Sequence, residues 1–367
     1  MKKLFLFTAL LCAALCCAGS QIKVANSSGK VLTAFPVAAE ISETLCAADA
    51  DSLEVTDPAG KKLFCQWDDL NGSGKVDAGD EIAFLADLQP GENVFVCRFF
   101  KGGAEKSGKS TANVIENEWV KISQNKQKLL LRNIFLKEGK NTQFLAGAFV
   151  LEPRMDNSWK WDNSDLMTEV VSCGPIRKIL RVAMEKKNRE NGKTVRIIND
   201  LSIFSGRKEI LSKLTFINTS SGQLVQINTV NTGMYQVMSD GKNVISGLDF
   251  AGTNRRGSAE AVAKGKVENA SFLLRRPVAG QAVWCDVSSG KSGFGMVPAG
   301  AENVDNLLIR SISGNKSIRM SMLFAFEKAV LWPGKSVSCA WWMIPHNGGY
   351  TEVEKFAEAM NKVKVAK

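Results

Sequence analysis

The residues most able to do chemistry lie in Asp69-Leu70-Asn71-Gly72-Ser73-Gly74-Lys75-Val76-Asp77-Ala78-Gly79-Asp80. Counting Asp69 as position one of a calcium loop, oxygen-bearing side chains fall at one, three, five, nine and twelve as Asp69, Asn71, Ser73, Asp77 and Asp80. Gly74 stands at six, where such a loop turns sharply, and Lys75 at seven offers its backbone carbonyl. A hard cation needs six to eight oxygens at roughly 2.3 to 2.6 Å, and alternate positions in a tight turn direct several of them inward together. The alternative is an ion-free turn, because Asp, Asn and Gly dominate turns on their own account. The flanks, Lys62 to Trp67 and Ile82 to Leu88, are short and sharply bounded. They predict a loop between two strands, with a structural Ca²⁺, and not the helix pair of a regulatory site.

A second set of candidates suits β-elimination from a uronate, which needs a base for the proton beside the carboxylate and a cation for the developing charge. The chain has one histidine and two tyrosines. His346, in Ile344-Pro345-His346-Asn347-Gly348, and Tyr235, in Gly233-Met234-Tyr235, are the candidate bases, and Arg177 is the candidate neutraliser. Trp159 and Trp161 alternate in a polar segment and offer faces for sugar stacking, with Arg255 and Arg256 as further substrate contacts. Each has a structural alternative. His346 closes a turn or caps a helix, Tyr235 packs into a core, the tryptophans pack against a sheet and its edge, and Arg255-Arg256 is a solvated turn.

Short apolar runs separated by turn residues predict an all-β protein. Residues 21–113 read as a small sandwich carrying the ion loop. Residues 114–346 read as a large antiparallel supersandwich, with longer alternating runs such as Glu209 to Asn218 and an Asn191-Gly192 hairpin turn. Residues 347–367 carry a short C-terminal helix, with Thr351 and Glu354 as a capping box and Val353, Phe356, Ala357, Met360 and Val363 on one stripe. Gly103 to Ser110 ends like a phosphate loop, yet no strand feeds it and no βαβ pattern surrounds it, so it reads as a linker.

The first twenty residues, Met1-Lys2-Lys3 followed by an apolar run and small residues, predict a signal peptide cut between Ala18 and Gln21 and a secreted or periplasmic protein, with lipidation at Cys16 or Cys17 a second option. No later stretch is long and apolar enough to span a bilayer. Beyond the leader lie Cys46, Cys65, Cys97, Cys173, Cys285 and Cys339, open to either disulfides or buried free thiols. A net charge of +10, which is 10 − 2 = +8 without Lys2 and Lys3, and no nucleic-acid motif point either to an acidic glycan or an anionic envelope surface as partner or to an exported protein that is simply basic.

Gln66 to Asp77, followed by Asp80 to Phe84 and Asp87-Leu88, resembles the loop-and-strand signature of secreted bacterial proteins grouped as domain of unknown function 4861. Val171-Ser172-Cys173-Gly174-Pro175-Ile176-Arg177-Lys178, with the strands to Asn218, is similar to the supersandwich of galactose mutarotase-like proteins, a fold that also carries many polysaccharide lyases. The resemblance implies a carbohydrate-active protein working on an acidic polysaccharide or oligosaccharide, by lyase-type elimination if catalytic. The alternative is a non-catalytic glycan-binding or envelope scaffold protein.

Overall fold

A computed structural model of the chain describes residues 20–42, 50–101, 112–124, 133–138, 142–146, 154–156, 161–163, 166–231, 235–238, 243–247, 253–254, 269–275, 282–289, 292–299, 306–314 and 317–365. Residues 1–19 of the expected signal peptide, the Gly103 to Ser110 segment, Cys46, Trp159, Arg255 and Arg256 lie outside them. The chain forms two compact units. The first contains residues 1–108, 174–177 and 362–367, and the second residues 109–173 and 178–361.

The first unit is a small antiparallel β-sandwich. Its five-stranded sheet is centred on Gly91–Phe100, which pairs with Ser20–Asn26 on one side and Ser52–Thr56 on the other. The three-stranded sheet places Glu81–Leu88 between Leu32–Glu40 and Cys65–Asp68. Alternation assigns the faces. In Ser20–Asn26, Ile22, Val24 and Asn26 are buried and the residues between them are not, because successive side chains point to opposite sides of a strand. Phe84 of one sheet meets Phe95 of the other at 5.0 Å between ring centroids, tilted by 58°. The outer edge of Ser20–Asn26 pairs with Val363–Val365, Val24 opposite Val365. The expected helical stripe is therefore shorter than the sequence suggests. The helix runs Thr351–Asn361 and buries Val353, Phe356 and Ala357, whereas Val363 belongs to a strand.

The second unit packs two large antiparallel sheets face to face, of eleven and nine strands among the described residues. In the nine-stranded sheet, Ile210–Asn218 lies between Thr194–Phe204 and Ser336–His346 and alternates buried and half-buried along its whole length. The sheets interleave across one core, with Phe144 against Phe294 at 5.7 Å and Phe324 against Trp341 at 5.8 Å. Asn191-Gly192 supplies the hairpin turn between Arg177–Asn188 and Thr194–Phe204, with Gly192 at φ +72° in the left-handed region that glycine enters at no steric cost. The helix Thr351–Asn361 lays Phe356 edge-on to Trp342, and Val353 against Gly295. No helix among the described residues is long and apolar enough to cross a membrane.

Candidate functional site

The loop Asp69 to Asp80 folds with its oxygens turned to its own backbone. Asp69 accepts from the N–H groups of Gly72, at 2.5 Å, and Gly74, at 3.0 Å, and Asn71 Oδ1 accepts from Ser73 N at 2.8 Å. Ser73 Oγ donates to Lys75 O, and Asn71 Nδ2 reaches Asp77 Oδ2 at 3.3 Å. Gly72, Gly74 and Gly79 all take positive φ, so position six turns as the register requires. Val76 is buried and ties the loop down through its N–H to Ala50 O. Asp80 is fully buried and accepts from Leu70 N, Asp77 N and the Trp67 indole N–H. Burial pushes the Asp80 carboxyl above its usual range, and the charge of Asp69 adds to the rise against the hydrogen bonds that lower it.

A carboxylate oxygen has two acceptor sites, so these bonds leave lone pairs on Asp69, Asn71, Asp77 and one oxygen of Asp80. Mutually repelling carboxylates beside amide, hydroxyl and carbonyl oxygens fit a hard cation. Among the described residues no three His, Cys, Asp or Glu side chains converge as a metal group, so an ion here needs the Asn71, Ser73 and Lys75 oxygens as well.

Of the expected catalytic residues, Arg177 and His346 are each enclosed in an ion pair of their own unit. Arg177 belongs to the first unit and is almost wholly buried, its guanidinium held by Asp68 and Glu81. Nε donates to Asp68 Oδ2 at 2.8 Å and Nη1 to Glu81 Oε2 at 2.8 Å, while Nη2 also bonds Asp68. Burial alone would depress its pKa, but the charges of Asp68 and Glu81 and their hydrogen bonds raise it overall. Gln66 completes the cluster, its amide oxygen accepting from Ile176 N and Arg177 N and its Nε2 donating to Arg177 O. Gly174 makes room for it, since a Cβ there would lie 2.1 Å from Gln66 Oε1. A guanidinium already matched by two carboxylates has no charge to lend a substrate.

His346 belongs to the second unit, at the end of Ser336–His346, and is wholly enclosed. Nε2 meets Asp286 Oδ1 at 2.8 Å and Nδ1 meets the Gly348 carbonyl at 2.9 Å. Both ring nitrogens are occupied, so the expected solvent-facing base is instead an interior ion-pair partner. Trp161 is likewise corrected, from sugar platform to core. It is buried among apolar residues with its indole N–H on Met155 O at 3.3 Å. Tyr235 opens the strand Tyr235–Met238, opposite Ala146 and Met320. Among the described residues Cys65, Cys97, Cys173 and Cys339 form no disulfide, and burial pushes the thiol of Cys97 up to about 12.

A surface that sequence reasoning missed lies in the second unit. Val225 opposes Leu331 with both side chains in the core, so their neighbours Leu224, Val330 and Trp332 point outward. All three are exposed, Trp332 to 65%. Trp332 begins a turn with Pro333 and Gly334 at its centre, closed by Lys335 N on Trp332 O at 2.9 Å, with Gly334 at φ +76°. The turn sets an exposed lysine three residues from an exposed indole. An aromatic residue directly before Pro-Gly was the available signal.

No family model matches this chain, and no curated protein does. Among solved structures, a glycosyl hydrolase family 38 protein from Enterococcus faecalis aligns over 95% of this chain and 48% of its own, at 10% identity and a TM-score of 0.49. This chain thus spans about half the length of that protein. A GalM/aldose epimerase homologue from C. elegans aligns over 66% of this chain and all of its own, at 9% identity and a TM-score of 0.45. Galactose 1-epimerase from Lactobacillus acidophilus aligns over 67% of this chain and all of its own, at 10% identity and a TM-score of 0.44. Similarities of this size leave function to the residues themselves.

Proposed function

We propose that this protein is a non-catalytic carbohydrate-binding protein that takes an acidic polysaccharide on the outward face formed by Leu224, Val330 and Trp332. The observation that carries the reading is the 65% exposed Trp332 indole, fixed by its turn beside Lys335. An indole face stacks on the apolar C–H face of a pyranose, and an adjacent ammonium pairs with a uronate carboxylate. The net charge of +10 favours a polyanion over a neutral glycan. Binding is favoured over elimination because His346 has both ring nitrogens engaged and Arg177 is neutralised. Elimination needs a base with a free lone pair within reach of the substrate. In the first unit, the Asp69 to Asp80 loop holds a structural Ca²⁺ outside the cytoplasm, through Asp69, Asn71, Ser73, the Lys75 carbonyl, Asp77 and Asp80. At tenfold excess over its Kd, one bound ion stabilises the folded chain by about 1.4 kcal/mol.

Affinity electrophoresis in gels containing polygalacturonate, alginate or neutral dextran tests the glycan reading. Retardation is expected in the acidic gels, lost in Trp332→Ala and weakened in Lys335→Ser, with the melting temperature unchanged in both. Unretarded migration of the wild type in every gel, or full retardation of Trp332→Ala, overturns it, as does a rise in ultraviolet absorbance on incubation with these polymers. The Ca²⁺ assignment is checked separately by calorimetry, where absence of heat on titration into chelator-treated protein removes it.

A further inference from the structure

Gly348 lies two residues beyond His346, in the short connection to the helix Thr351–Asn361. Its carbonyl faces His346 Nδ1 at 2.9 Å, while Asp286 Oδ1 faces Nε2 at 2.8 Å. A carbonyl oxygen only accepts hydrogen bonds, and so does an ionised carboxylate. A neutral imidazole carries one N–H, so it satisfies one of these two neighbours and leaves a lone pair opposed to the other. Both contacts are made at once only by the imidazolium. The ring and Asp286 are fully buried, the other Asp286 oxygen accepts from Ser288 Oγ at 3.1 Å, and Gly293 lies so close to the ring that a Cβ would stand 2.1 Å from Cε1. The ring therefore has no room to turn to a different partner.

We infer that His346 is a pH-operated latch: as the buried imidazolium, it ties the end of strand Ser336–His346 both to Asp286 and to the connection that starts the C-terminal helix, and loss of its proton releases that connection. The remaining N–H stays on Nε2, facing the Asp286 carboxylate, because a charge-assisted hydrogen bond is the stronger of the two, so the Gly348 contact is the one that fails. The charged groups facing the ring support the imidazolium from each side. Asp286 comes from the strand Cys285–Ser289. Glu352 comes from the helix, and its carboxylate is shared with Lys208, which also pairs with Glu138. The strand Ser292–Ala299 contributes only Gly293. Burial draws the imidazole pKa down, but the Asp286 hydrogen bond and charge, the Gly348 carbonyl and the Glu352 charge lift it above the ordinary histidine value. The latch is thus fully closed below the ordinary histidine pKa and opens as pH rises through the higher folded value.

His346 is the only histidine in the sequence, so its titration can be followed without assignment. Two-bond ¹H–¹⁵N correlation spectra of the intact chain, uniformly labelled, are expected to show both nitrogens protonated at pH 6.5 and a single transition above that pH. Hydrogen exchange of the Gly348 to Glu352 amides, corrected for intrinsic rate, is expected to gain about tenfold for each pH unit past the transition, the equivalent of one proton lost. In His346→Gln, whose amide does not titrate, corrected exchange should be flat with pH. Asp286→Asn, which keeps the shape and removes the charge, should move the transition to lower pH. A neutral ring at pH 6.5, or corrected exchange in this segment that does not change as the ring titrates, overturns the latch. Because the spectra and exchange are read on the unaltered protein, a variant that fails to fold does not remove the test.

Discussion

Arg177 and His346, both flagged from the sequence as chemistry, are each the cation of an interior ion cluster, one in each unit. Arg177 joins Asp68 and Glu81 in the first, and His346 joins Asp286 in the second. All three acidic partners are buried, and each cation bonds to residues far away along the chain. The difference is the proton. A guanidinium keeps its charge at every physiological pH, so its cluster is a fixed rivet, whereas an imidazolium is charged conditionally. Burial beside a carboxylate thus gives permanence in one unit and pH dependence in the other.

The largest effect that breaks this comparison is expected from Arg177→Ala. It strands two buried carboxylates and should cost about 3–5 kcal/mol in denaturant unfolding, with Arg177→Lys recovering less than half because an ammonium does not reproduce the two-sided fork. A loss under 1 kcal/mol would show the cluster to be hydrated in solution. Next comes Gly293→Ala, which drives a methyl into the imidazole ring and should cost about 1–3 kcal/mol by overpacking. Gly174→Ala should cost about as much, since its Cβ displaces the buried Gln66 amide from its hydrogen bonds to Ile176 N, Arg177 N and Arg177 O. An unfolding midpoint for Gly174→Ala equal to that of the wild type would show that Gln66 moves aside freely.

Much of the fold was legible because strand patterning is local. The alternation of Ile210–Asn218, the Asn191-Gly192 turn and the apolar stripe of Thr351–Asn361 each follow from residues within one turn or one strand. The site was legible only as an inventory of residue types. Nothing near His346 in sequence announces that Asp286, on another strand, will neutralise it, and nothing near Arg177 announces Asp68. Trp161 sits in a polar segment, yet its pairing with Lys186 to Asn188 brings it over the core, so local composition misled. The end of the helical stripe was lost for the same reason. Val363 fits the helix by spacing, but the unpaired edge of Ser20–Asn26 claims it.

That last pairing has a consequence for biosynthesis. The sheet begun by Ser20–Asn26 receives its outermost strand only when Val363–Val365 emerge, so a nascent chain holds an open row of backbone donors and acceptors throughout translation of everything between. Stalled or truncated products ending before Val363 carry that open row for good and are the species prone to strand exchange with a neighbouring copy.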